Sequence, residues 1–270
     1  MMNKKVLITG ATDGIGRQTA LDLAGMGAHV LIHGRDPKRL KAAAQEIKRS
    51  EASVKVEIFV GDFSSLDQVR QLARDIKGKH DRLDVLINNA GILDNRQRTS
   101  EDGYEMTFAV NHLATFLLTG LLLELLKKSA PSRIVNVTSM MHSHSIDFEN
   151  LQGERGYDGH EAYGLSKLCN VLFTYELAER LKGTGVTVNC LHPGVINTKL
   201  FRGGWGGGGG GGSHRSENLL YVATDKALAD VTGKYFMNIR ETRSADITYE
   251  PVIREKLWRM SEEMTGIQYK

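Results

Sequence analysis

The sequence has few of the residues that disulfide-stabilised or metal-stapled domains depend on. It contains 2 cysteines and 4 prolines in 270 residues, and Cys169 and Cys190 lie inside apolar stretches. Two cysteines at this separation form neither a disulfide framework nor a CxxC-type zinc site, so we expect both to be buried core residues. A chain of this length buries enough surface to fold without disulfides or a structural metal.

The sequence also lacks a charge of one sign and a long apolar segment. The formal net charge is +3 and the basic residues are dispersed, which argues against a nucleic-acid partner. The longest apolar run, Leu113 to Leu126, is 14 residues long and contains Glu124, whereas a membrane-spanning helix needs about 20 residues. The apolar run after Lys4 and Lys5 is too short for a signal peptide. We therefore predict a core helix, no membrane segment and cytoplasmic residence.

Short apolar segments alternate with longer amphipathic ones along the chain. Seven strands are predicted, at Lys5 to Thr9, His29 to His33, Val54 to Val60, Val85 to Asn88, Arg133 to Thr138, Val186 to Leu191 and Lys234 to Phe236. Helices are predicted near Gly14 to Gly27, Pro37 to Ser50, Leu66 to Lys79, Gly103 to Lys128, Ala162 to Lys182 and Ser216 to Thr224. This alternation predicts a single α/β domain over residues 1–270, with a doubly wound, Rossmann-type, seven-stranded parallel sheet and helices on both faces.

One segment departs from this alternation. Gly203, Gly204 and Gly206 to Gly212 surround Trp205 and supply nine of the 29 glycines. Because glycine loses the most backbone entropy on ordering, we expect a mobile surface loop at about residues 199–216. Two interpretations stay open: a passive linker, or a lid over a substrate cleft.

A glycine-rich turn follows the first predicted strand and opens the first predicted helix. It reads Thr9-Gly10-Ala11-Thr12-Asp13-Gly14-Ile15-Gly16. Glycines at such a place let backbone N–H groups approach a pyrophosphate, whose charge the helix N-terminus stabilises. The spacing differs from the common G-x-G-x-x-G fingerprint, so a turn without a ligand is the alternative.

The end of the second predicted strand bears on the choice of cofactor. An acidic residue there would accept hydrogen bonds from a ribose 2′-OH, but this chain has Gly34 followed by Arg35. Arg35 could pair with a 2′-phosphate, which favours NADP(H) over NAD(H). The alternative is a solvated arginine that the neighbouring Asp36 neutralises.

A second chemical pattern is Tyr163-Gly164-Leu165-Ser166-Lys167, near the start of a predicted helix. Residues four apart share one helical face, so the phenol and the ammonium group can project into one pocket. A phenol has an ordinary pKa of about 10, and a nearby cation lowers that pKa towards neutrality. Many such pairs are solvated, so the pattern alone is weak evidence.

Taken together, these patterns resemble the short-chain dehydrogenase/reductase family. The matching residues occur in the family's order along almost the whole chain: Thr9-Gly10-x-x-x-Gly14-Ile15-Gly16, Asp62, Asn88-Asn89-Ala90-Gly91, Asn111, Ser139, Tyr163-x-x-x-Lys167 and Pro193-Gly194-x-x-x-Thr198. Within the family the chain is similar to the retinol dehydrogenase-like branch, through Asp147 to Leu151, Val231 to Phe236 and Leu257 to Glu263. Many relatives in that branch carry an N-terminal membrane segment that this sequence does not show, so we infer no retinoid substrate from the resemblance.

The resemblance implies roles for four residues. Tyr163 would be the general acid or base on the substrate oxygen, and Lys167 would lower the pKa of Tyr163 and bind the nicotinamide ribose. Ser139 would hydrogen-bond the carbonyl or alkoxide oxygen. Asn111 would hold a water next to Lys167 and so complete a proton relay.

The resemblance also implies a cofactor site. Thr9 would tie the Asn88 strand to the first turn, and Asp13 is a departure, because many NADP-preferring relatives have a basic residue there. The implied contacts are Gly10, Thr12, Asp13, Gly14, Ile15, Gly16, Arg35, Asp62, Phe63, Asn89, Ala90, Gly91, Tyr163, Lys167, Pro193, Gly194, Val195 and Thr198.

The sequence therefore predicts an NADP(H)-dependent oxidoreductase that interconverts a small carbonyl compound and an alcohol. The alternative is a non-catalytic NADP(H)-binding sensor or interaction protein on the same scaffold. The family resemblance is compatible with a homodimer. His142 and His144 lack a readable third ligand, so we predict no metal site but keep both as candidates to line the substrate cleft.

Overall fold

An eight-stranded sheet forms the centre of the protein in a computed structural model that describes residues 1–51, 53–194 and 216–269. The strand order is β3-β2-β1-β4-β5-β6-β7-β8, and all neighbours pair in parallel except β7 and β8. The strands are β1 Lys5–Ile8, β2 His29–Gly34, β3 Val56–Val60, β4 Val85–Asn88, β5 Ser132–Val137, β6 Val186–Leu191, β7 Lys234–Met237 and β8 Arg240–Glu241.

The predicted Rossmann-type fold is confirmed, with one correction to the strand count. All seven predicted strands are present, but the sheet has an eighth, antiparallel strand, β8. This strand is two exposed residues long, so it has no apolar alternation from which a sequence pattern could predict it.

The helices cover both faces of the sheet. Their bounds are α1 Gly14–Gly25, α2 Pro37–Ser50, α3 Leu66–Lys79, α4 Met106–Phe108, α5 Ala114–Lys128, α6 Gly159–Arg180, α7 Glu217–Thr224 and α8 Pro251–Thr265. Capping residues explain several of these starts. Asp36 accepts hydrogen bonds from the backbone N–H groups of Lys38 and Arg39, and Pro37 occupies the first turn of α2. Asp158 caps α6 in the same way.

A π-helical turn, Ala109–Leu113, joins α4 to α5. The sequence predicts one helix from Gly103 to Lys128, and this turn divides it. The stretch Met106–Lys128 is long and apolar enough to cross a membrane by length and composition, and 83% of its most apolar window is buried inside the fold. Within the fold, α5 packs against α3.

Two apolar cores lie on opposite faces of the sheet because side chains alternate along each strand. Leu7 and Leu31 face the core formed with α3, α5, α6 and α8. Val6 and Ile8 face the core formed with α1, α2 and α7. Both cysteines are free and buried, as predicted. β1 pairs with β2 on one side and β4 on the other, and such a switch in strand order opens a crevice at the carboxyl ends of the strands.

Candidate active site

A cavity of about 720 Å³ lies along the carboxyl ends of the central strands. It brings together most of the residues that the sequence singled out. The predicted residues that line it are Gly10, Thr12, Asp13, Gly14, Ile15, Gly16, Arg35, Asp62, Phe63, Asn89, Ala90, Gly91, Ser139, Tyr163, Lys167, Pro193 and Gly194. Asn111 lies behind this lining. Val195, Thr198 and all of the glycine-rich segment except Ser216 lie outside the described residues.

The turn after β1 needs glycine at two positions. Gly10 has a φ of +67°, and a Cβ atom there would lie 2.8 Å from the Ala90 Cα atom. A Cβ atom at Gly16 would lie 2.5 Å from the Gly10 carbonyl oxygen. With Gly14 at the first position of α1 and lining the cavity, this backbone fits the pyrophosphate of a dinucleotide at a helix N-terminus.

Thr9 joins this turn to the end of β4. Its hydroxyl oxygen accepts hydrogen bonds from the backbone N–H groups of Asn89, at 2.9 Å, and Ala90, at 3.0 Å. The Asn89 side-chain amide donates to the Thr9 carbonyl at 2.8 Å. The two loops that border the cavity are therefore held to each other by side chains as well as by the sheet.

The far end of the cavity carries two arginines. Arg35 is exposed directly after β2, and Arg39 is partly exposed on α2. The Arg39 guanidinium lies 3.0 Å from the Asp13 carboxylate, and the same carboxylate accepts a hydrogen bond from the Gly14 N–H at 2.8 Å. Despite the cost of its partial burial, these partners keep the pKa of Asp13 below its ordinary value. Arg39 was not among the residues predicted from the sequence; it lies in the first turn of α2, which begins at Pro37.

The floor at this end is aromatic and polar. The His33 and Phe63 rings stack with centroids 4.4 Å apart, and His33 Nε2 lies 3.0 Å from the Gly61 carbonyl oxygen. Burial lowers the pKa of His33 to about 4. The Asp62 carboxylate accepts two hydrogen bonds from Ser64, each of 2.9 Å. The Asp62 side chain therefore stabilises the turn at residues 62–64 and also lines the cavity.

The other end of the cavity is built on β5 and α6. Lys167 is 3% exposed, and its ammonium group donates to the Val137 carbonyl at 3.1 Å. Its Nζ atom lies 5.5 Å from the centre of the Tyr163 ring. The Ser139 hydroxyl forms a hydrogen bond with Tyr163. The phenol, the hydroxyl and the ammonium group thus occupy one pocket.

Asn111, in the π-helical turn, supports this pocket from behind. It is fully buried. Its amide oxygen accepts from the Ile92 N–H at 2.8 Å, and its amide nitrogen donates to the Ile92 carbonyl and to the Ser166 hydroxyl, each at 2.9 Å. The side chain therefore links the loop after β4 to α6, while its role towards a water stays a prediction.

Burial is the main influence on the ionisation of Tyr163 and Lys167. Burial raises the pKa of Tyr163 to about 12, although the hydrogen bond with Ser139 acts in the opposite direction. Burial also lowers the pKa of Lys167 to about 8. Desolvation of the phenolate outweighs the other influences on Tyr163, and the effect of Lys167 on the pKa of this phenol stays a prediction. Tyr163 is a protonated phenol at neutral pH, ready to donate.

Apolar side chains that sequence reasoning missed line the cavity beside Ser139. Met140 and Met141 are exposed, and Ile92, Leu93 and Met106 are further lining residues. No motif marks them: Ile92, Leu93, Met140 and Met141 lie in loops, where apolar residues have no period, and Met106 is the first residue of the short helix α4. His142 and His144, expected as possible cleft residues, are both absent from this lining. The described part of the chain holds no group of three or more His, Cys, Asp or Glu side chains that could bind a metal ion.

Comparisons with known proteins agree with this arrangement. The sequence model of the short chain dehydrogenase family matches residues 4–204. Human retinol dehydrogenase 13 is 42% identical over 282 residues, which cover 98% of this chain and 85% of the relative. Human retinol dehydrogenase 14 is 40% identical, with 99% of this chain and 88% of the relative covered.

Solved structures give the same result. An uncharacterized protein from Mycobacterium paratuberculosis matches with a TM-score of 0.83 and 30% identity, over 100% of this chain and 96% of that one. A short chain dehydrogenase from Shigella flexneri, complexed with NADP, matches with a TM-score of 0.72 and 27% identity, over 87% and 97% of the two chains. Sequence, fold and site geometry agree, and the chain belongs to the short chain dehydrogenase family of oxidoreductases, in its retinol dehydrogenase-like branch.

Proposed function

We propose that this protein is an NADP(H)-dependent oxidoreductase that interconverts a carbonyl compound and an alcohol. The observation that carries the proposal is the grouping of Ser139, Tyr163 and Lys167 in one cavity that continues to the glycine turn after β1. A nicotinamide cofactor, when bound, supplies or accepts the hydride.

The protein's own residues handle the oxygen atom and its proton. In the reductive direction the Ser139 hydroxyl donates a hydrogen bond to the carbonyl oxygen, which polarises the bond. As the oxygen gains negative charge, Tyr163 transfers its phenolic proton to it, and the alcohol results. The buried ammonium group of Lys167 stabilises the phenolate that is left. Oxidation of an alcohol is the reverse sequence.

Charge at the far end of the cavity supports NADP(H) as the cofactor. Arg35 lines the cavity, and Gly34 stands at the end of β2, where an acidic residue would accept hydrogen bonds from a ribose 2′-OH. Guanidinium groups form paired hydrogen bonds with phosphates. Arg39 adds a second positive group on the same side of the cavity.

The first experiment is a fluorescence titration of the purified protein and of Arg35→Ala with NADPH and with NADH. We expect the variant to bind NADPH about 10- to 100-fold more weakly, since a charged hydrogen bond contributes about 1.5–3 kcal/mol. NADH binding should change little. Arg49→Ala, which removes the same charge at the other end of α2, is the matched control.

Turnover separates this function from the non-catalytic alternative. A screen of aldehydes and ketones with NADPH should give steady oxidation of the cofactor. Tight binding of NADPH without turnover of any carbonyl compound or alcohol would favour a sensor, and preferential binding of NADH would overturn the role of Arg35. The substrate loop at 199–216, a homodimer and cytoplasmic residence stay predictions.

A further inference from the structure

His142 connects the loop that carries Ser139 to a segment more than 100 residues further along the chain. Its ring is 7% exposed. Nδ1 lies 2.7 Å from the Ser139 carbonyl oxygen, and Nε2 lies 3.1 Å from the backbone nitrogen of Ala245. A carbonyl only accepts and a backbone N–H only donates, so Nδ1 carries the proton and Nε2 accepts.

The segment that His142 reaches is itself fixed to α6. The Ser244 hydroxyl lies 2.8 Å from the Tyr175 hydroxyl on α6 and 2.7 Å from the Thr248 hydroxyl. Because α6 also carries Tyr163, a chain of hydrogen bonds runs from α6 through residues 244 and 245 to His142 and Ser139. Ser139 is thus located relative to Tyr163 by a route separate from β5.

Two hydrogen bonds from backbone N–H groups close the loop between Ser139 and Ser143 on itself: the Met141 N–H donates to the Ser139 hydroxyl oxygen at 3.1 Å, and the His142 N–H donates to the Ser139 carbonyl at 3.2 Å. The loop belongs to no helix or strand, and the Ser143 N–H donates to the Gly164 carbonyl at 3.0 Å. That bond lies four residues beyond Ser139. These bonds lie within the loop or lead to α6, whereas the ring of His142 links the loop to the C-terminal segment at Ala245.

We propose that His142 is a positioning residue, which holds the Ser139 hydroxyl against Tyr163 by bridging the Ser139 carbonyl and the Ala245 amide. The inference rests on the proposed function, because Ser139 and Tyr163 act there on the same oxygen. Burial lowers the pKa of His142, which keeps the ring neutral and its Nε2 atom an acceptor. His144, His192 and Tyr235 surround the ring from its own loop, from the end of β6 and from β7.

Two variants cut the bridge from opposite sides. His142→Phe fills a similar volume and removes both hydrogen bonds. Ala245→Pro removes the N–H donor and places a ring carbon close to the His142 ring, so it breaks the same contact from the other side, and the φ of −56° at Ala245 suits proline. We expect each variant to lower kcat about tenfold, because small misplacement of a reacting group slows catalysis, while the Kd for NADPH stays within about twofold. His144→Gln, at an exposed position of the same loop, is the matched control and should keep the kcat of the unmodified protein.

A double-variant comparison separates positioning from general destabilisation. If His142 acts through Ser139, His142→Phe should cause no further loss in a Ser139→Ala background, and the pair His142→Phe with Ala245→Pro should lose no more than either alone. The inference would be overturned if either variant folded and kept its kcat. It would also be overturned if His142→Phe lowered kcat by the same factor in the Ser139→Ala background as in the unmodified protein. If the unmodified protein turns over no substrate, the proposed function fails and the inference with it. If it turns over normally and the variants match it, only the inference fails.

Discussion

The two ends of the cavity are built in contrasting ways. At the arginine end, Arg35 is exposed, and the side chains of Arg39 and Asp13 are 41% and 43% exposed. At the tyrosine end, Lys167 is 3% exposed and Asn111 is fully buried. The arginine end presents long charged side chains to solvent, whereas the tyrosine end holds polar side chains close together inside the packed fold.

The contrast separates the residues that we expect to select the cofactor from the residues that we expect to act on the substrate. Charges near water contribute modestly and can change without disturbing the fold. Buried polar groups need all their partners, because an unsatisfied group inside the fold costs about 1–3 kcal/mol. Cofactor preference should therefore respond to single surface substitutions, while the reacting groups depend on the packing of β5 and α6.

The largest effect should come from the tyrosine end. Tyr163→Phe removes the proton donor and leaves the ring, and general acid catalysis contributes about 10²–10⁴-fold. We expect kcat to fall by that factor while the Kd for NADPH changes less than about threefold, as measured by stopped-flow kinetics and fluorescence titration. Tyr221→Phe, on α7 and away from the cavity lining, removes a phenol oxygen elsewhere and should be silent. Full turnover by Tyr163→Phe would contradict the division between the two ends.

An intermediate effect should appear in the stability of the fold at acid pH. Burial lowers the pKa of His33, beneath the arginine end, and of His112, beside Asn111, to about 4 in each case. The unfolded chain takes up these protons near pH 6.5, so between pH 6.5 and 4 it binds more protons than the folded chain. The contribution of these two rings to the free energy of unfolding is therefore greatest above pH 6.5 and decreases as the pH falls from 6.5 to 4.

The share of His33 in that decrease can be measured separately. Each buried imidazole contributes about 1 kcal/mol per pH unit within the window. His33→Gln retains an amide donor for the Gly61 carbonyl, so urea unfolding between pH 4.5 and 7.5 should show a shallower slope. His144→Gln, at an exposed site, should leave the slope unchanged. An equal slope in His33→Gln would show that this ring titrates alike in both states.

The smallest effect should come from Asp13 at the arginine end. Asp13→Asn keeps an oxygen for the Gly14 N–H but removes a negative charge near the start of α1 and releases Arg39 from its ion pair. We expect NADPH to bind about two- to fivefold more tightly, in line with the energy of an exposed pair, with less change for NADH and none in kcat. Isothermal titration measures the difference. Weaker binding of NADPH would show that Asp13 helps to place Arg39 for the ligand.

The sequence predicts the scaffold better than it predicts the support of the site. The strands β1 to β7 follow from apolar periodicity, and the glycine turn follows from steric need at Gly10 and Gly16. The roles of Ser139, Tyr163 and Lys167 stay predictions, although the structure brings them together. Tertiary contacts decide the rest: the pairing of Arg39 with Asp13, the bridge through His142 and the raised pKa of Tyr163 each depend on residues far apart in the chain.

The π-helical turn between α4 and α5 makes two consecutive residues serve two different layers of the protein. A π-helical turn holds one more residue than an α-helical turn. Asn111 uses its side chain towards Ile92 and Ser166, whereas the ring of His112 lies 2.8 Å from the Ser261 hydroxyl on α8. Because of this turn, His112 contacts α8 while Asn111 still faces the cavity wall. The spacing of residues along this helix, and not only their composition, therefore decides which side chain reaches the cavity wall and which reaches α8.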